Sequence, residues 1–201
     1  LMVFHSRPTL TNCTFIANEA IGIGGGVYNL NGAPVFYDCR FIGNTAIEGG
    51  AMMTFESGQP DHPRYERCSF EGNTAELGGA IYNFRSNPTF SDCAFRENTA
   101  DFGGGIENFQ SNPVLSGCAF QGNQAASIGG GMDNSESSPV LEGCKIWNNS
   151  AVIGGGIYNT SSTSDTRLSD TIVCGNAPDQ IFGIWHDDGG NSVTEKCAED
   201  C

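Results

Sequence analysis

The chain repeats itself about every 25 residues, and this period restricts its fold more than any other property of the sequence. Cys13, Cys39, Cys68, Cys93, Cys118 and Cys144 stand 26, 29, 25, 25 and 26 residues apart. Each is followed at the second position by an apolar residue, at the fifth by Asn, and then by a Gly-rich stretch ending in an aliphatic side chain. One unit of this length cannot bury an apolar face, whereas a stack of units can. The offsets lack a 3.6-residue period, and their short alternations predict brief strands separated by turns.

If each unit makes one coil, equivalent residues sit about 4.8 Å apart in columns. Three inward walls can be read directly. The first is Leu10, Phe36, Tyr65, Phe90, Leu115, Leu141 and Leu168; the second is Phe15, Phe41, Phe70, Phe95, Phe120, Ile146 and Val173. The third is Val27, Met52, Ile81, Ile106, Met132 and Ile157. Between the first two lies the Cys column, continued by Thr171 and expected to hold small buried thiols rather than a metal or redox site. Asn18, Asn44, Asn73, Asn98, Asn123, Asn149 and Asn176 read as left-handed corner residues whose amides also bond between coils. The Gly runs predict a bare face, flat or grooved. Together these columns predict an all-β parallel β-helix of about seven coils over residues 1–176, with an irregular C-terminal cap at 177–201. Leu1 to Val3 align with Val27 to Asn29, so the sequence starts in mid-coil, and association through coil ends is one expectation.

The paired signals "FIAN", "FIGN", "FEGN", "FREN", "FQGN" and "GGGV", "GGAM", "GGAI", "GGGI", "GGGM" resemble the FxxN and GGAI repeats of chlamydial polymorphic outer membrane proteins and related secreted bacterial β-helix proteins. The resemblance covers residues 1 to 176 and implies a right-handed coil, in keeping with the bias of parallel crossovers. It also implies a bacterial extracellular or cell-surface location and an adhesin-like role, here without the membrane barrel that such proteins carry.

Nine Lys and Arg against 23 Asp and Glu leave a net charge of -14, which sets nucleic acid aside as a partner. No apolar run approaches the roughly 20 residues of a membrane-spanning helix. The stripe directly after the Gly motif, Tyr28, Met53, Tyr82, Glu107, Asp133 and Tyr158, should point outward by strand alternation, which makes Tyr28, Tyr82, Glu107, Asp133 and Tyr158 candidate glycan-binding residues. Glu107 and Asp133 would stack about 5 Å apart, close to the separation of a retaining glycosidase pair, and are the low-probability catalytic candidates. A longer loop at 54–63 offers Glu56, Asp61 and His62. Asp187 and Asp188 in "HDDGGN" are weak calcium candidates, although a tight turn explains them as well. No other cofactor or metal site is expected. Cys174, Cys197 and Cys201 lie outside the column and are disulfide candidates for a secreted cap.

Two functions compete. The favoured one is a non-catalytic structural or adhesive solenoid that binds a glycan, a partner protein or copies of itself, because near-uniform coils leave little room for a broken-repeat active site. The alternative is a polysaccharide lyase or glycoside hydrolase. A lyase needs cations against uronate, yet Lys145 and Lys196 are the only lysines and Arg64 and Arg67 the only basic pair.

Overall fold

The computed structural model describes residues 1–57, 62–160 and 163–198. Its strands form three parallel sheets of eight strands each, to which successive coils contribute one strand apiece, and a separate pair, Thr99–Phe102 with Gln124–Ile128. The first sheet runs from Met2–Phe4 through Val27–Leu30, Ile81–Phe84 and Ile106–Phe109 to Ile181–Phe182. The second runs from Thr9–Thr11 through Thr89–Ser91 to Trp185–Asp187, and the third from Thr14–Ile16 through Ala94–Arg96 to Ser192–Thr194. The chain is therefore a parallel β-helix of about seven turns. The pairing Met2 with Tyr28 and Val3 with Asn29 is the register read from the sequence.

The three walls meet in one core. Phe36, Phe41, Phe70, Phe95, Phe120, Ile81, Ile106 and Leu115 are completely buried. Rings in the second wall lie face to face, with centroids 4.8, 4.7, 4.9 and 4.5 Å apart from Phe15 to Phe120. Parallel strands in exact register impose that spacing, and each buried ring contributes roughly 1.5–3 kcal/mol by leaving water. Tyr65 replaces Phe in the first wall, and its buried hydroxyl donates to the Met52 sulfur at 2.8 Å. The Cys column is buried from Cys39 to Cys144, each thiol donating to the carbonyl two residues before it. Burial pushes the Cys39 thiol up to about 11, so it stays protonated.

The Asn column departs from its expected conformation. The left-handed residue is the one before it, at Ala17, Gly43, Gly72, Glu97, Gly122, Asn148 and Gly175. This turns the Asn side chain into the core, where Asn44, Asn73, Asn98 and Asn123 are fully buried. Each Nδ2 donates to the Oδ1 of the next coil, at 2.9 Å from Asn44 to Asn176, and each Oδ1 also accepts the backbone N–H of the Asn below. Gln180 terminates the ladder, accepting from Asn176 Nδ2 at 2.9 Å. A second amide ladder, Thr54, Asn83, Asn108, Asn134 and Asn159, runs inside the first sheet. A third, of Ser86, Ser111 and Ser137, accepts backbone N–H groups beside it. A polar group buried this deeply is tolerated only when it is bonded, and here the fold supplies the bonds.

The glycine runs do not form a bare outer face. The first Gly of each takes a left-handed conformation, φ +67° at Gly129, and the turn doubles back onto the first sheet. A Cβ at Gly104 would collide with the carbonyls of Gly130 and Gln124 in the next coil. Residues 177–198 also continue the stack rather than leaving it, adding a shortened rung to all three sheets. Ile181, Trp185 and Val193 pack on the end of the core, while Phe182 and Ile184 face outward. The disulfide Cys174–Cys197 ties this rung down, as expected for two of the three candidates; Cys201 lies outside the described residues.

Replacing Asn98 with Ala should lower stability by about 2–4 kcal/mol in urea unfolding, since it strands the Asn73 amide and N–H and the Phe70 carbonyl in the core. A loss below about 1 kcal/mol would show the ladder to be incidental. Gly104→Ala should cost more than Gly43→Ala, because Gly43 has a left-handed φ of +58° but open space around its Cβ position. Equal costs would mean that the neighbouring coils give way to a Cβ at Gly104.

Candidate functional site

The stripe Tyr28, Met53, Tyr82, Glu107, Asp133 and Tyr158 lies in register as expected. It is not a solvent face. Tyr82, Glu107 and Asp133 are only 7%, 6% and 1% exposed, Met53 is buried, and Tyr28 and Tyr158 are half-buried. The glycine turns cover it: a Cβ on Gly129 would stand 2.7 Å from Cβ of Asp133, and one on Gly154 would stand 2.8 Å from Cβ of Tyr158. Strand alternation does send these side chains away from the core, but the chain then folds back over them.

Glu107 and Asp133 are consequently a buried acid pair. Their positions pair directly across adjacent strands, and burial together with mutual repulsion favours a proton on the pair. Glu107 Oε2 and Asp133 Oδ1 have no partner. Burial, then the charge of Asp133, holds the Glu107 carboxyl well above the usual range; burial raises Asp133 to about 6. A polysaccharide cannot reach this pair, so its spacing does not make it a glycosidase centre.

The other candidates scatter. Glu56 is exposed and pairs with Arg85 at 3.4 Å. Asp61 lies outside the described residues. Asp187 Oδ1 accepts from Gly189 N at 2.9 Å and Asn191 Nδ2 at 2.6 Å, closing a tight turn. Asp188 grips Arg167 with both oxygens at 2.8 and 3.0 Å. These bonds already occupy the acids considered for calcium.

His62 is the loop residue that reaches a concave surface. With Arg64, Thr89, Ser91, Val114 and Ser116 it lines a trough of about 490 Å³ on the outer face of the second sheet, floored by Phe90. The strands Arg64–Glu66, Thr89–Ser91 and Val114–Ser116 pair in register, so their outward side chains form rows across the trough. Arg64 is half-exposed and bonds Glu66 at 3.1 Å. Sequence reading singled out His62 but missed the row beside it; the signal was the outward position on either side of the Phe36 to Leu115 wall. It also missed a half-buried ladder of Phe55, Phe84 and Phe109, stacked 4.9 and 5.3 Å apart beneath Arg85.

Inward walls, stacked strands and an open outer face define a parallel β-helix. The chain belongs to the family described as "Right handed beta helix region", which residues 1–173 match. No curated protein matches the chain. A solved structure of QnrB1, a plasmid-mediated fluoroquinolone resistance protein, is 18% identical over 89% of this chain and 79% of that one, with a TM-score of 0.31. Likeness at this level says nothing about a ligand.

The acid pair has a pH signature. Between the ordinary carboxylate range, about 4, and the raised folded values, the folded chain keeps a proton that the unfolded chain has released. The penalty is absent below that range and grows as pH rises through about 6. Glu107→Gln should therefore gain stability relative to the parent in urea unfolding as pH is raised from 4.5 to 8. A difference that does not change with pH would rule out the retained proton.

Proposed function

We propose that the protein is a non-catalytic extracellular solenoid that holds a glycan chain along the outer face of its second sheet. The observation that carries this reading is the trough itself. Hydroxyls of Thr89, Ser91 and Ser116 stand in rows at the spacing of the strands, on a rigid sheet, with Arg64 and His62 at one side. Such a surface meets many sugar hydroxyls with little ordering cost, because the core beneath it is already fixed. The apolar Val114, exposed between these polar side chains, suits the ring face of a sugar.

Two further points support binding over cleavage. The acid pair that would have served a glycosidase is buried. Four arginines, at 64, 67, 85 and 167, are engaged by Glu66, Asp38, Glu56 and Asp188, so they do not converge on a uronate as a lyase requires. An extracellular location accords with the disulfide and with motifs that resemble those of surface-exposed adhesins.

A glycan array read for both retained protein and new reducing or unsaturated ends tests this. Binding without cleavage is expected, weakened at least tenfold, about 1.4 kcal/mol, by Ser91→Ala combined with Arg64→Ala. Cleavage of any polymer would instead establish the lyase or hydrolase alternative, and binding indifferent to these substitutions would move the ligand off the second sheet.

A further inference from the structure

The turns that cover the acid stripe build a surface of their own. Residues 17–24, 43–49, 72–78, 97–103, 122–129 and 148–154 form six stacked turns outside the first sheet. Isolated bridges hold them in register: Ile23 with Glu48, Glu48 with Leu77, Leu77 with Phe102, and Ile128 with Ile153, while Phe102 pairs with Ile128. The result is a continuous ridge along the coil axis, about 24 Å long for five intervals of 4.8 Å.

Its composition is one-sided. The six turns carry Glu19, Glu48, Glu76, Glu97 and Asp101 and no Lys, Arg or His. They also hold six of the 14 large hydrophobic residues exposed among the described residues: Ile21, Ile23, Ile47, Phe102, Val152 and Ile153. Ile21 is 97% exposed and Val152 67%. A shallow groove of about 480 Å³ runs beside the ridge, its floor made of small side chains such as Ala75, Ala100 and Ala125 and its wall of Thr74, Thr99 and Gln124. Contiguous exposed apolar residues rimmed by like charge mark a surface that is covered in use.

From this we infer a docking surface for another protein: a segment that alternates Lys or Arg with large apolar side chains. Charge complementarity selects that occupant, since cations meet the acids spread along the turns while apolar side chains cover the Ile, Phe and Val between them. A second copy fits poorly, because a chain of net charge -14 sets acid against acid over most of its surface. A membrane fits poorly too, because anionic headgroups would be repelled by the same acids.

The test uses the full chain and two labelled probes, a synthetic Lys–Leu amphipathic peptide of about 18 residues and an oligolysine of equal charge, followed by fluorescence anisotropy in 0.15 M salt. The amphipathic peptide should bind at least tenfold more tightly than oligolysine. Glu76→Lys with Asp101→Lys should weaken both probes at least tenfold, and Val152→Ser with Phe102→Ser should abolish the preference by weakening the peptide while leaving oligolysine unchanged. Arg64→Ala, on the sugar-facing trough, should leave both unchanged, which separates this surface from the glycan reading. Equal binding of the two probes, or ridge variants that bind like the parent, would overturn the proposal. So would a dimer in sedimentation that dissociates on Val152→Ser, or binding to phosphatidylserine vesicles, each of which assigns the ridge to a different occupant.

Discussion

Hydrogen bonding between coils in exact register is the constraint on which everything else in this molecule rests. The amide ladder from Asn18 to Gln180 shows it most directly, because each side chain bonds an identical one a coil away and also fixes that coil's backbone. A slip of one residue would break every rung together. The same register puts ring upon ring in the Phe column, thiol above thiol in the Cys column, and glycine against glycine in the turns. Local preferences alone would not produce this; strands of three or four residues are too short to persist without neighbours.

Much of the fold was legible because period-25 columns average out the ambiguity of any single short strand. All three apolar walls, the buried thiols and the mid-coil alignment of Leu1 to Val3 could be read from spacing. What escaped was decided by contacts outside the spacing. Alternation correctly turned Glu107 and Asp133 away from the core, but it cannot report that the glycine turn of the same coil returns to cover them. The inner ladder of Asn83, Asn108 and Asn134 was hidden by the ordinary assumption that Asn faces water, although its inward parity was present in "IYN", "IEN" and "MDN". The final rung lacks the repeat motif, yet strand edges left by the previous coil are enough to template it.

The candidate site was less legible than the fold for the same reason. Residue types that suggest chemistry, an acid pair flanked by tyrosines, were drawn to a covered position, while the accessible trough is made of Thr, Ser and Val that attract no notice in a sequence. The two faces that remain open differ in character. The trough offers hydroxyls and an arginine over a flat sheet, and the ridge offers acids and aliphatics on protruding turns. They occupy separate sides of the coil, so one ligand on each is sterically compatible.

The interval of 29 residues between Cys39 and Cys68 shows how such a molecule can diverge. Four extra residues entered after Phe55, and the strands on either side still pair at the positions their neighbours dictate. Each coil thus behaves as a shelf with an open corner: length can be added there without moving the shelf above or below. Acquisition of a new specificity need not be negotiated with the core, and relatives of this chain would be expected to vary in what hangs from their corners far more than in what fills their interior.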